Sequence, residues 1–398
     1  MSHYLPPIEQ FPRLNQGACY FDSAATCLAP EPVLQQWLQF YREYHASVHR
    51  SSHAASREAT AKLEQARSDI AQFIGADAHN LCLPASTTIA LNMLAEQLPI
   101  AWQAGDEIVL SVAEHHANLL PWQRLAKRYQ LRLRWLELDR HSGELADDWQ
   151  QLFNPRTKLL AVTAASNVTG ALLPLPELCA AAHAVGALAI VDAAQAAAHV
   201  RLNVHTIGCD ALVFSAHKCY GVTGAAALFI QPQLWPQMQP WLLGGGMVTQ
   251  VSTAQAQWID AIQRFEAGTP DSAAIITFAA ALQWLEQQQQ AGLHDYLVQL
   301  RQQLLHGLQQ RQWLKVLPSG TAATPLVSFY SDTIHAYDLA VWLDSADIAV
   351  RAGSHCAQPL LQHFGVESVV RVSLGAYNTA QQIQRLLSQL DQAHALLI

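Results

Sequence analysis

Several short apolar runs in this sequence each hand over to polar residues of the kind that bind ligands or move protons. Residues 107–112 (EIVLSV) lead into Glu114-His115-His116-Ala117-Asn118, and residues 159–163 (LLAVT) into Ser166-Asn167-Val168-Thr169-Gly170. Residues 188–191 (LAIV) end in Asp192, with Gln195 three residues on, and residues 211–214 (ALVF) end in Ser215-Ala216-His217-Lys218. Upstream, residues 81–83 precede Ser86-Thr87-Thr88, which opens a helical stretch through Asn92. Taken singly, each feature has an ordinary explanation: an Asp after a strand is a turn or cap, and a Thr-Thr pair is an N-cap. Their placement at successive strand ends points instead to one site, because open α/β sheets bind ligands beyond the carboxyl ends of their strands.

The residue types fit pyridoxal phosphate. That cofactor needs a lysine for the Schiff base and a carboxylate to keep the pyridine nitrogen protonated, so that the ring acts as an electron sink. It also needs a flat side chain against the ring, and hydroxyls, an imidazole and a helix N-terminus for the phosphate. Lys218, Asp192, His115 and the group Thr87, Thr88, Ser215 and His217 supply all four.

The elements that must hold these residues follow from the pattern. The apolar runs are short, several are rich in β-branched or aromatic residues, and helical stretches such as 177–185, stopped by Gly186, lie between them. Strands alternating with helices imply an α/β fold with a largely parallel sheet. Before this block, residues 57–74 carry Leu63, Ala66, Ile70 and Phe73 at steps of three and four, with Gly75 as a stop. After it come glutamine-rich helical stretches at 277–290 and 295–311, in which Leu and Trp recur at helical spacing and the glutamines form a solvated face. Strand candidates then follow at 326–330 and 369–373, and a final helix at 381–396. The domain change is placed near residue 285. A large domain, 15–285, precedes a smaller α+β domain, 286–398 with 1–14.

Composition narrows the classes. The chain has 398 residues, 51% of them apolar and 14% charged, so it can bury a sizeable core and is not expected to be disordered. Net charge is −8 with Lys and Arg scattered, which leaves no basic footprint for nucleic acid. Residues 1–16 lack the basic start and apolar stretch of a secretory signal, and no uncharged apolar run approaches the ~20 residues that span a bilayer. The seven cysteines are dispersed, with no Cys-x-x-Cys pair, so neither a disulfide framework nor a zinc ribbon is expected. A cytoplasmic location is expected.

The motifs together resemble the class V aminotransferase superfamily of fold-type-I enzymes, and more narrowly its group II, Suf/Csd-type cysteine desulfurases. The resemblance runs from Tyr20-Phe21-Asp22-Ser23-Ala24-Ala25-Thr26 to Gly375, through Val48-His49-Arg50, the strand-end motifs above and Gly268-Thr269-Pro270. Its most specific part is Arg351-Ala352-Gly353-Ser354-His355-Cys356-Ala357-Gln358-Pro359, the cysteine loop that separates desulfurases from aminotransferases. The resemblance implies a mostly parallel seven-stranded sheet flanked by helices, a smaller α+β domain and a homodimer.

It also implies roles. Lys218 is the Schiff-base lysine and proton shuttle, Asp192 pairs with the pyridine nitrogen, Gln195 with the ring hydroxyl, and His115 stacks on the ring and assists proton transfer, so that His115 stands with Lys218 and Cys356 in the catalytic set. Thr88, Ser215 and His217 bind phosphate, helped by Thr269 from a second subunit. Asn167 and Arg371 hold the substrate carboxylate, with Arg351 in the same substrate-binding set. Cys356 is the nucleophile that takes sulfur from L-cysteine, releasing L-alanine and passing a persulfide to a SufE/CsdE-like acceptor protein. Cysteine sulfinate and selenocysteine are the rival substrates, and a catalytically weak sulfur-delivery module is the rival of another class. No metal is expected. A free thiol is only a few per cent ionised near pH 7, so Arg351 and His355 are expected to raise the thiolate fraction of Cys356. The other six cysteines read as structural. The chain departs from the family pattern at Ser47, Ser86, Ile89, Val222, Leu243 and Gly246, of which Ser86 and Ile89 touch the phosphate cup.

Overall fold

The computed structural model describes residues 4–14, 17–49 and 51–397. Arg50, one residue of the Val48-His49-Arg50 motif, lies outside the described residues. Seven strands form the central sheet: β1 (Leu81–Cys82), β2 (Glu107–Ser111), β3 (Arg132–Leu136), β4 (Thr157–Thr163), β5 (Leu188–Asp192), β6 (Ala211–Ser215) and β7 (Ala226–Ile230). Their order is β1-β7-β6-β5-β4-β2-β3. All adjacent pairs run parallel except those made by β7, which is antiparallel to both β1 and β6. The expected mostly parallel seven-stranded sheet is therefore present.

The strands alternate strictly in which core they serve. Val109, Leu160, Val162, Ala189, Val191, Leu212, Phe214, Ala227 and Phe229 pack into one apolar cluster. Their neighbours Ile108, Leu110, Leu159, Ala161, Ile190, Ala211, Val213, Leu228 and Ile230 pack into a second. Side chains of a strand point to opposite faces with period two, so a sheet covered on both faces must be apolar at every position. That is why these runs read as unbroken apolar segments. The edge strand β3 (RLRWL) is more polar and partly exposed, and hydropathy alone does not reveal it.

Helices cover both faces. The helix expected at 57–74 spans Ala54–Phe73 and ends before Gly75, whose φ of 69° suits glycine. The expected glutamine-rich helices span Ser272–Gln290 and Leu293–Gln309. A four-stranded antiparallel sheet follows: β8 (Lys315–Val316), β9 (Leu326–Tyr330), β10 (Arg351–Gly353) and β11 (Val369–Ser373), in the order β8-β9-β11-β10. Strands 326–330 and 369–373 stand where the sequence places them. Strand β10 is not legible in the sequence, because three residues ending in glycine carry no periodic signal. The final helix spans Ala380–Leu397. Among the described residues no helix is long and apolar enough to cross a membrane.

Candidate active site

The polar strand ends converge on one cavity of about 210 Å³. Thr87, Thr88, His115, Asn167, Asp192, Gln195, Ser215, His217, Lys218, Arg351, Cys356 and Arg371 all line it. The expected cofactor and nucleophile residues thus meet in one place, although they are drawn from most of the chain's length, from Thr87 to Arg371. Thr269 is the exception. It lines a different cavity with Val48, His49, Glu64 and Glu266, so a single chain does not bring it to the others.

The floor is set by β5 and β6. Asp192 is the last residue of β5, and Lys218 closes the short turn Ala216–Lys218 after β6. Burial pushes the Asp192 carboxyl up, opposed by the Ala194 amide that donates to it at 3.0 Å and by Lys218. Burial pulls Lys218 down from the usual amine range, and Arg371 adds to this while Asp192 opposes it. A lysine moved toward its neutral amine is the nucleophilic form.

The walls carry neutral imidazoles. His115 is held down to about 4 by burial first and then by the positive charges of Lys218, Arg371 and Arg351. Its Nδ1 accepts the Ala117 amide at 3.1 Å, so the single proton of the neutral ring sits on Nε2. His217 is likewise at about 4, through burial and Lys218, and its Nδ1 lies 3.3 Å from Thr26 Oγ1.

At one end lies the N-terminus of the helix Thr87–Gln97. Ser86 is its N-cap and its Oγ accepts the Ile89 amide at 3.2 Å. The departure from glycine at Ser86 therefore installs a cap, and it leaves the first helical amides, on Thr87 and Thr88, without intrahelical partners. Thr87 Oγ1 is buried and unpartnered, and the buried Ser215 lines the same cavity. This is an anion-binding arrangement. Ile89, the other departure, is exposed at the third helical position and takes no part in the cap beyond its backbone.

Cys356 closes the other end. It is exposed, whereas the six remaining cysteines are all buried. His355 and Cys356 have φ of 52° and 56°, a left-handed conformation that non-glycine residues seldom adopt. Two donors from the segments that follow β2 and β4 pin the loop: His116 N–H donates to the Cys356 carbonyl at 2.8 Å, and Asn167 Nδ2 to that of His355 at 2.7 Å. Gly353, at φ 121°, is required by space as well, since a Cβ there would stand 2.7 Å from Tyr337 Oη.

Three expectations change in detail. His355 does not supply positive charge to Cys356: burial, with Arg371 next, holds it down to about 3, so it is neutral at pH 7, and its Nε2 lies 3.2 Å from the Val369 carbonyl. Arg371 does not face the cavity with a free fork. One guanidinium nitrogen pairs with Asp22 at 2.9 Å, a second donates to the Asn167 carbonyl at 2.9 Å, and Nε is buried without a partner. Gln195 already donates to the Ala24 carbonyl at 2.7 Å. Asp22 and Ala24 stand in the N-terminal motif, but nothing in the chain order places them against Arg371 or Gln195. His363, which lies near Cys356 in sequence, hydrogen-bonds the Leu138 carbonyl, and among the described residues no cluster suited to a metal ion is found.

Comparison with known proteins agrees with this architecture. A curated relative from Pseudomonas putida, named "Probable cysteine desulfurase", is 41% identical over 384 residues, which is 96% of this chain and 95% of that protein. The apo cysteine desulfurase of Thermococcus onnurineus NA1 superposes with a TM-score of 0.93 at 33% identity, covering 98% of this chain and 99% of that one. The cysteine desulfurase CsdA of Escherichia coli, in an S-sulfonic acid form, gives a TM-score of 0.91 at 36% identity, covering 98% of both chains. The family model described as aminotransferase class-V matches residues 19–386, and the chain belongs to that family.

Proposed function

We propose that the protein is a pyridoxal-phosphate-dependent cysteine desulfurase that converts L-cysteine to L-alanine and takes the sulfur on Cys356. One observation carries this reading: a single exposed thiol on a strained loop opens into the same cavity as a buried Lys–Asp pair. Aminotransferase chemistry needs the pair and not the thiol.

The cavity fits the cofactor. Thr87 Oγ1, Asn167 Oδ1 and Arg371 Nε are buried without partners around it, the unmet polar valence expected where a polar ligand belongs. Thr87, Thr88, Ser215 and His217 would hold the phosphate, Asp192 the pyridine nitrogen and Gln195 the ring hydroxyl, with His115 against the ring and Lys218 as the covalent anchor. When bound, the group supplies an electron sink for the α-carbon of the substrate. Lys218 moves the α-proton, which its neutral amine is suited to accept. Asp192 keeps the pyridine nitrogen protonated. Arg351, with Asn167 and the one unpartnered nitrogen of Arg371, Nε, orients the substrate carboxylate. Cys356 Sγ, as thiolate, attacks the substrate sulfur: an S–S bond forms, the C–S bond breaks with its electron pair left on the β-carbon, and that carbon takes a proton to become the methyl group of alanine while the persulfide stays on Cys356. An exposed thiol then lets an acceptor protein with its own reactive cysteine remove the sulfur, as in the SufE/CsdE type.

The same proposal includes a homodimer in which Thr269 reaches the partner's phosphate site. Support comes from the surface beside it. Trp241, Leu242 and Leu243 are exposed, and the glycine turn that follows accepts the Gly268 amide on Gly245 at 2.7 Å. A large domain, 15–285, and a small one, 286–398 with 1–14, then share the cavity, which takes Arg351, Cys356 and Arg371 from the second. The cytoplasmic location is proposed from seven free, dispersed cysteines. The deciding experiment adds L-cysteine to purified holoenzyme and measures alanine and sulfide together. Equal amounts in the presence of reductant are expected, and the absence of alanine overturns the reading.

A further inference from the structure

Glu114 does not line the cavity, yet it sits one residue before His115 with both oxygens of its carboxyl group engaged, and burial, only partly offset by Ser111, Thr163 and Asn118, pushes that group up to about 8. It is 1% exposed. Oε1 accepts from Ser111 Oγ at 2.5 Å and from the Thr163 amide at 2.8 Å, and Oε2 accepts from Asn118 Nδ2 at 2.7 Å. Asn118 Oδ1 in turn accepts from the indole N–H of Trp122 at 2.9 Å. The indole can only donate, so it fixes which way Asn118 points and forces its NH₂ toward Glu114. The Thr163 amide can only donate as well. Each oxygen of residue 114 must therefore accept, Oε1 from Thr163 and Oε2 from Asn118, and when the carboxyl carries its proton only Ser111 Oγ can receive it.

The contacts join two strand ends. Ser111 and Asn118 lie on either side of His115, so the carboxylate ties the segment that carries that ring at both its ends. Thr163 ends β4 and pairs in register with Asp192 of β5, whose carbonyl also accepts the Ala164 amide at 2.8 Å. Resting on the desulfurase reading above, we propose that Glu114 is a positioning residue which fixes the His115 ring relative to Asp192, acting through Ser111, Asn118 and Thr163. Glu114 is bonded to the end of β2, to the end of β4 and to the turn after His115, and β4 in turn pairs with β5, which carries Asp192.

The donor pattern supplies a specific test. In Glu114→Gln the amide NH₂ must face the NH₂ of Asn118, while the contacts to Ser111 and Thr163 survive. Adding Asn118→Asp restores complementarity: the introduced amide donates to the introduced carboxylate, which still accepts from Trp122. Four properties are measured on wild type, E114Q and E114Q/N118D: thermal unfolding, the dissociation constant of pyridoxal phosphate from the apoprotein, the visible absorbance maximum of the holoenzyme, and kcat and KM for cysteine. E114Q is expected to weaken cofactor binding, shift the absorbance and lower kcat about 10- to 100-fold with KM changed less than about threefold, as for a displaced rather than absent group. The double variant is expected to recover most of each. E114Q with wild-type cofactor affinity, absorbance and kcat overturns the assignment, and so does a folded double variant that recovers none of them. If E114Q fails to fold, the double variant decides alone. If neither folds, Glu114 serves stability only and the assignment falls. Failure of the desulfurase reading is seen separately, as a wild-type holoenzyme that makes no alanine while the cofactor-binding comparison still stands.

Discussion

Lys218 and Cys356 share a cavity but not an environment. Lys218 is driven toward its neutral amine by burial, whereas Cys356 is exposed on a loop whose carbonyls accept one backbone and one side-chain hydrogen bond. The separation suits a reaction whose first half needs a base inside and whose second half must hand sulfur outward. Cys356→Ala is expected to bind cofactor normally and to lose turnover of L-cysteine by roughly a hundredfold or more, since the sulfur then has no nucleophile. Cysteine sulfinate and selenocysteine carry better leaving groups, and their turnover is expected to persist within about tenfold. Alanine assays on the three substrates check this, and normal cysteine turnover by Cys356→Ala counts against the mechanism. His355 gives a pH prediction. Its folded-state value of about 3 lies below the ordinary 6.5, so the unfolded chain binds the proton first. Its contribution is complete above pH 6.5 and is lost as pH falls toward 3. At pH 5 the loss is about 2 kcal/mol relative to pH 7. Urea unfolding of the apoprotein should therefore show wild type losing about that much more than His355→Asn between pH 7 and pH 5. Equal losses would place the titration elsewhere.

At the scale of elements, one buried cation holds the sheet edge to its covering helix. Arg67, on the helix Ala54–Phe73, is 2% exposed and pairs with Glu266 at 2.6 and 2.9 Å and with Glu64 at 2.9 Å. It also donates to the Leu81 carbonyl of β1 at 2.9 Å, and Glu266 accepts the Leu83 amide at 2.7 Å. Glu64 is held down to about 2, with His49 and Arg67 overcoming its burial. Glu266 begins the segment that runs to Thr269, so the network sets where that loop leaves the body of the protein. Arg67→Ala leaves the partly buried Glu266 carboxylate without its cation and is expected to cost about 2–4 kcal/mol, below the full cost for a completely buried pair. Chemical denaturation of the apoprotein measures it, and a loss below about 1 kcal/mol would mean that Glu266 relaxes into water.

At the scale of the molecule, the cavity is assembled from most of the chain length but is still one residue short of the expected set. Thr269 faces a different cavity, and the exposed Trp241, Leu242 and Leu243 lie beside its loop. A two-fold dimer would cover the apolar turn and deliver Thr269 in the same step. Sedimentation of the active holoenzyme is expected to give twice the 43.7 kDa of one chain. Thr269→Ala is expected to weaken cofactor affinity while leaving the dimer intact. An active monomer contradicts the shared site.

The sequence by itself determined the strands and the types of residue at their ends. Strands β4 to β6 are largely apolar runs because each serves a core on both faces, and the residues that follow them are polar because they leave the sheet toward the ligand. Lys218, Asp192, His115 and Cys356 could be read for that reason, together with the motifs around them. Tertiary structure decided what depends on approach through space. It neutralised His355, because burial outweighs anything the adjacent residue name implies. It committed Arg371 to Asp22 and Gln195 to Ala24, contacts spanning 349 and 171 positions. It made Glu114 the bond between two strand ends, a role that the string Glu-His-His-Ala-Asn cannot announce because two of its partners, Ser111 and Thr163, lie outside it. Edge strand β3 and short strand β10 were hidden for a related reason: a strand exposed on one side, or only three residues long, owes its existence to the neighbour that pairs with it and not to its own pattern.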